Sequence, residues 1–164
     1  MGNNYIATGS RDKTICIYTT EGKKVTSLKG HDAAICSLTC VKNSKGKILL
    51  ASGSDFGCCC LILWNLDSWT IASRIQSHTA AVTCILDLED GENLLTGSYD
   101  KKINLFNHNR GQLVFSTSNS KSAIASMVMS CDKKKLITSG LDKRMTIWSI
   151  QRSNNVNILD YIDS

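Results

Sequence analysis

An all-β fold built from about four tandem copies of one four-stranded antiparallel unit is what this sequence predicts, on three observations. First, one pattern of residues recurs: 6–18 reads IATGSRDKTICIY, 50–65 LASGSDFGCCCLILWN, 94–107 LLTGSYDKKINLFN and 137–149 ITSGLDKRMTIWS. Its small hydroxyl residue falls at Thr8, Ser52, Thr96 and Thr138, at spacings of 44, 44 and 42, and its closing aromatic at Tyr18, Trp64, Phe106 and Trp148. A fixed period of that size outranks local propensity as a fold signal. Second, each copy is a hairpin signal, with apolar residues running into a Gly/Ser/Asp bend and out again. Third, no segment sustains a 3.6-residue apolar period, so almost no helix is expected.

Taken in order, residues 5–10 form the first strand, and the turn Arg11-Asp12-Lys13 returns the chain as strand 14–19. The Glu21-Gly22 bend leads to strand 24–29, and Gly30-His31-Asp32 opens a strand of small apolar residues, 34–41. The next hairpin spans 47–66, its turn enlarged at 56–60, followed by the outer strand 69–75. Ser77-His78-Thr79 repeats the Gly-His position, and 81–88 matches 34–41. The central hairpin, 94–107, carries apolar residues on successive positions (Leu94, Leu95, Leu105, Phe106), which predicts burial of both faces. Strand 112–117 and a connector at 118–122 that lacks the histidine follow; 123–129, 136–139, 145–150 and 156–161 complete the fourth set. Each unit runs inner strand, hairpin, outer strand. The first copy starts without its inner strand, so about fifteen strands are expected. They form one domain over 1–164, with units at roughly 1–29, 30–76, 77–117 and 118–164.

Composition narrows the function classes. Proline is absent, and no apolar run approaches the roughly 18–20 residues that cross a bilayer. No charged leader precedes an apolar stretch at the N-terminus, so a protein of the cytoplasm, or alternatively of the nucleus, with no membrane partner is expected. Met1-Gly2 suggests acylation, but Ile6 stands where that motif needs Ser or Thr. The cysteines (Cys16, Cys36, Cys40, Cys58, Cys59, Cys60, Cys84 and Cys131) fall mostly inside expected strands, where a free thiol packs as a small hydrophobe. That placement suits a reducing compartment rather than a disulfide scaffold. Cys36 and Cys40 would share a strand face, but there is no C-x-x-C pair, and successive side chains at 58–60 point to opposite faces. Neither a metal nor a cofactor is expected. The net charge of +5 is scattered, and Lys133-Lys134-Lys135 reads as a solvated turn.

The short strands, the turn signals and the period together resemble the WD-repeat family of β-propellers. The resemblance is carried by Gly30-His31, Ser77-His78, the G-S-x-D turns and the strands closed by Tyr18, Trp64, Phe106 and Trp148. No copy has the literal Trp-Asp pair. The resemblance implies about four blades in a partial, unclosed propeller. It also implies a buried hydrogen-bond chain of His31, Ser52 and Trp64 with an Asp of the adjacent turn, where Asp55 stands one residue early. In the third copy the members are His78, Thr96 and Asp100, ending at Phe106, which has no N–H to donate. The first and fourth copies offer Thr8 with Asp12, and Thr138 with Asp142 and Trp148, but no histidine. Because a typical WD ring has more blades, the resemblance further implies completion by additional repeats or by association with another copy. An open arc exposes the flat faces of its end blades and an unpaired strand edge.

His, Ser and Asp converging invites a hydrolase reading. The set recurs with variation, its Ser or Thr lies mid-strand, and no oxyanion hole is apparent, so no enzyme is expected. The turns also lack the paired carboxylates of a calcium loop or glycosidase. Loops on a rigid scaffold are where binding residues are placed. At the end carrying the signature turns these are Arg11, Phe56, Tyr99 and Leu141, with Asp32, Thr79 and Ser122 from the connectors. Arg11, Phe56 and Tyr99 lead, because Arg and aromatics dominate binding hot spots. The expected function is a non-catalytic scaffold that binds proteins or peptides through blade-end loops. The second reading, a nucleic-acid or ribonucleoprotein module, draws on the positive charge and differs in steep salt dependence.

Overall fold

Fifteen strands and no helix account for the secondary structure of the computed structural model, which describes residues 4–57, 60–76, 78–117, 120–153 and 156–162. The strands are β1 (Tyr5–Gly9), β2 (Thr14–Thr19), β3 (Lys24–Lys29), β4 (Ile35–Lys42), β5 (Ile48–Ser54), β6 (Cys60–Asn65), β7 (Thr70–Gln76) and β8 (Val82–Asp87). They continue as β9 (Asn93–Ser98), β10 (Ile103–Asn107), β11 (Gln112–Thr117), β12 (Ile124–Met129), β13 (Lys135–Gly140), β14 (Met145–Ser153) and β15 (Val156–Ile162). Each strand pairs antiparallel with its sequence neighbour to give sheets β1-β2-β3, β4-β5-β6-β7, β8-β9-β10-β11 and β12-β13-β14-β15. These are the blades of a partial, unclosed propeller, and the first lacks the inner strand that β4, β8 and β12 supply to the others.

Boundaries differ from expectation for local reasons. β1 stops at Gly9 because the Ser10 carbonyl is taken by the Lys13 and Ile35 amides. Trp69 lies before β7, not in it: its φ of 58° is left-handed turn backbone, and its ring meets Tyr5 edge-on at 5.3 Å. Two irregularities repeat. The inner strand carries one extra residue opposite the next strand at Cys36, Thr83 and Ala125. The outer strand carries one at Val25, Ala72 and Val114, beside the closing aromatic. Such bulges sharpen local twist, and their recurrence gives each blade the same shape.

The core is three layers, one between each pair of neighbouring blades. Because successive strand residues point to opposite faces, Leu50, Ile62 and Trp64 of blade two pack on Ile15, Ile17 and Leu28 of blade one. Ala51, Leu61 and Leu63 of the same strands pack on Leu94 and Phe106 of blade three. Leu95, Ile103 and Leu105 then meet Ile124, Leu136 and Trp148 of blade four. Burial of both hairpin faces follows from this stacking. The inner strands press so close that a Cβ on Gly53 would stand 2.7 Å from Val82 Cγ1, and one on Gly97 2.6 Å from Ile124 Cγ2.

The two ends of the arc are different. Met145 is 71% exposed, whereas its equivalents Ile15, Leu61 and Ile103 are 0% exposed. At the other end Ile6 is 49% exposed, against 2% for Leu50. Both ends therefore present side chains of the kind that other blades bury. Cys16, Cys36, Cys40, Cys84 and Cys131 are free thiols, and Cys60 is disulfide-bonded. The expected turn residues Cys58 and Cys59 and the connector residue Ser77 lie outside the described residues.

Candidate binding face at the turn end of the blades

The β3–β4 connector brings His31 over the middle of blade two. Its Nε2 lies 2.6 Å from Ser52 Oγ, and the Trp64 indole N–H donates to the same oxygen at 2.8 Å. Asp55 takes no part. Its amide bonds the Ala34 carbonyl, as the Tyr99 amide bonds Ala81 and the Leu141 amide bonds Ala123, so Asp55 occupies the outward slot of the turn. Its Oδ1 accepts the Phe56 amide instead. His31 Nδ1 is consequently buried without a hydrogen-bond partner among the described residues. Burial, with the Arg74 guanidinium adding to it, pushes His31 down to about 4. Arg74 stands where sequence reasoning placed no functional group; it donates to the Gly30 carbonyl and pairs with Asp32 at 3.3 Å.

Blade three completes the chain that blade two leaves short. His78 Nδ1 lies 2.9 Å from Asp100 Oδ2 and its Nε2 2.8 Å from Thr96 Oγ1. Asp100 Oδ2 also accepts the Thr79 amide, and Oδ1 the Lys102 amide. Burial pushes the Asp100 carboxyl up, but these amides and the His78 ring outweigh it and hold it below the usual carboxylate range. Burial lowers His78 against the pull of Asp100. Where Phe106 cannot donate, a group missed by the sequence reading adds polarity: Asn104 Nδ2 lies 3.4 Å from His78 Nδ1, and the Ser116 hydroxyl donates to Asn104 Oδ1 at 2.5 Å. Only the matched Asn104–Ser116 strand pairing could have signalled it.

In blade four the Trp148 indole donates to Thr138 Oγ1 at 2.9 Å, while Asp142 caps its own turn through the Arg144 amide. In blade one the Thr8 hydroxyl turns to the Cys16 carbonyl, and Asp12 caps Thr14. Ser52 and Thr96 are each 0% exposed. In blade three the network ties turn to connector through Asp100, whereas in blade two it ties the connector to strands β5 and β6. Among the described residues no group of three or more His, Cys, Asp or Glu is placed to hold a metal ion.

Outside this lock the turns present side chains to solvent. Phe56 is 60% and Tyr99 44% exposed, yet their rings meet across blades two and three with centroids 5.9 Å apart and planes 57° apart. Arg11 is exposed in the β1–β2 turn, where it and Asp55 both act on the Cys36 thiol. Leu141 is exposed in the β13–β14 turn. Of the connector candidates, Asp32 is engaged by Arg74, Thr79 is exposed above its bonded amide, and Ser122 is half-buried with its carbonyl taken by Ser120.

Residues 2–19, 22–65 and 69–107, more than half of the chain, match the family model described as WD domain, G-beta repeat. The chain belongs to the WD-repeat family. Beyond the matched residues, β12–β15 repeat the same strand order. This WD-repeat chain is 26% identical over 173 residues to the ribosome biogenesis protein WDR12 homolog of Aedes aegypti, covering 92% of the chain and 40% of that protein. It is 30% identical over 140 residues to DDB1- and CUL4-associated factor 13 of Dictyostelium discoideum, covering 82% of the chain and 30% of the relative. Against the p21-activated protein kinase-interacting protein 1-like of Xenopus laevis it is 32% identical over 117 residues, covering 70% and 30%. The WD-repeat chain thus spans less than half the length of these relatives. Among the described residues no helix is long and apolar enough to cross a membrane.

Proposed function

We propose that this chain is a non-catalytic cytoplasmic scaffold that binds other proteins or peptides through the turn end of its blades. The observation that carries the reading is the Phe56–Tyr99 pair: two large rings held together across a blade boundary yet left in solvent. Exposed aromatics on a rigid frame are the side chains that interfaces bury at their centres. The sealed His-Ser and His-Thr networks support the non-catalytic part, since their hydroxyls are buried and offer no open nucleophile.

The chain acts as one WD-repeat unit, four blades of a larger ring. The open end faces and the short coverage of its relatives both support this. The test of the binding face is affinity capture from cell extract with the wild-type chain and with Phe56→Ser/Tyr99→Ser. Partners that disappear selectively from the double variant, but not from Met145→Ser on the end face, support it. An unchanged set of partners contradicts it. The nucleic-acid reading rests on the net charge and on the ribosome biogenesis relative, and capture that falls steeply with salt would favour it.

A further inference from the structure

We infer that the free edge of β1 takes an extended segment of a further repeat: a strand that pairs with β1, led by a histidine that docks between Thr8 and Asp12. The inference rests on the reading of the chain as part of a larger ring and is independent of the turn-end face.

Three blades show what a filled edge contains. β4, β8 and β12 pair with β5, β9 and β13, and each is entered by a connector whose alanine carbonyl (Ala34, Ala81 or Ala123) accepts an amide of the neighbouring turn. In blades two and three a histidine four residues ahead of that strand meets a hydroxyl of the next strand, His31 at Ser52 and His78 at Thr96. Both histidines and all three inner strands are used within their own blades, so a second copy of the chain has none to lend. A further repeat is the source that fits, and the WD-repeat relatives extend well beyond the matched span.

Blade one has the receiving groups without their partners. Gly9 lies against Ile35 as Gly53 lies against Val82 and Gly97 against Ile124, so β1 holds the place beside its successor that β5 and β9 hold. Yet β1 is the edge strand of its sheet, and the amide of Arg11, the counterpart of Tyr99, makes no hydrogen bond among the described residues. Asp100 divides its oxygens, Oδ1 to the Lys102 amide and Oδ2 to His78 and the Thr79 amide. Asp12 commits Oδ1 to the Thr14 amide and hydroxyl, and among the described residues no hydrogen bond reaches its Oδ2. Thr8 donates to the Cys16 carbonyl at 3.5 Å, as Ser52 donates to that of Ile62 at 3.4 Å while also meeting the His31 ring. The Thr8 oxygen therefore keeps lone pairs for a ring nitrogen. The Ile35 amide already holds the Ser10 carbonyl, so pairing runs back from Gly9. An open edge offers ladder bonds to any extended peptide, and the Thr8, Arg11 and Asp12 groups select one with a histidine at a fixed offset.

The probe is a synthetic peptide of this chain's own residues 76–88, which hold His78 and β8, added to the 164-residue chain. Fluorescence anisotropy is expected to show saturable binding, and hydrogen–deuterium exchange to slow in β1 while the outer edges β3 and β11 are unchanged. His78→Ala in the peptide, or Thr8→Val/Asp12→Asn in the chain, weakens binding at least about tenfold. Both chain positions are exposed, and an unfolding midpoint checks that the variant folds. Phe56→Ser/Tyr99→Ser leaves binding unchanged. As a second measurement, residues 76–92 placed directly before Tyr5 set the added histidine as far from Thr8 as His78 is from Thr96. Tethering raises the effective concentration, so this fusion unfolds at higher urea, and His78→Ala in the added segment removes most of the gain. Either response, lost with the histidine, supports the inference. Full response without the histidine, or full affinity in the Thr8/Asp12 variant, overturns it while the larger ring stands. Slowed exchange in β3 or β11 in place of β1, or binding lost in the aromatic variant, places the peptide elsewhere and overturns it. Exchange in β1 that slows with chain concentration alone assigns the edge to a second copy and overturns the further repeat. No binding together with an unchanged fusion overturns both the inference and the larger ring, and leaves the turn-end face standing.

Discussion

His31 and His78 occupy the same place in successive blades with unequal support. His78 is held at both ring nitrogens; His31 is held at one and its other nitrogen is buried unbonded. Removing His78 strips partners from both Thr96 and Asp100, so His78→Ala costs about 2–3 kcal/mol in urea unfolding and His31→Ala about 1 kcal/mol. The acid limb of stability is set by the same pair. Below about pH 6.5 the unfolded imidazole of His31 takes up a proton that the folded one refuses until pH falls to about 4. Stability is therefore lost as pH falls through that window, by up to about 3 kcal/mol from His31 alone. His78 and His108, also lowered by burial, act in the same direction. Unfolding midpoints from pH 7 to 4 check this, and a flat profile in wild type contradicts it. Lys101 carries the opposite kind of cost: Lys101→Gly relieves left-handed backbone and raises the unfolding free energy by about 0.5–1 kcal/mol. At this scale it was the family resemblance, not spacing alone, that implied a meeting of Ser52 with Trp64, and the Trp64 indole donates to Ser52 Oγ. The sequence reading missed Arg74 and Asn104, whose roles depend on connectors and cross-strand partners that no motif spacing encodes.

The hairpins and their order were legible because apolar residues on successive positions, broken by Gly-Ser-Asp bends, have one antiparallel solution. Strand ends were less legible. Trp69 has the composition of a strand residue, and only the left-handed turn it must make excludes it. The enlarged β5–β6 turn likewise shifts Asp55 into the slot that Tyr99 and Leu141 fill, and one residue of offset removes it from the network. The close approach of inner strands makes a prediction for the element itself. Gly97→Ala drives a methyl against Ile124 and the Cys84 thiol and costs about 1–3 kcal/mol in thermal or urea unfolding. A neutral substitution would mean that blades three and four sit farther apart than described.

Four blades that each bury one face on a predecessor and one on a successor leave two faces over. Met145 and Ile6 sit on them, exposed where their equivalents are sealed. The isolated chain is therefore expected to associate with rising concentration in sedimentation velocity, and Ile6→Lys/Met145→Lys to shift it toward monomer without lowering its unfolding midpoint. Stacked blades also imply a gradient of protection, since interior blades have two neighbours and end blades one. Hydrogen–deuterium exchange resolved by strand measures it directly. Slow exchange across β5, β6, β9 and β10, with much faster exchange in β1 and β15, is the result expected of four blades held by three layers. Uniform protection from β1 to β15, or β1 outlasting β9, would contradict the open stack.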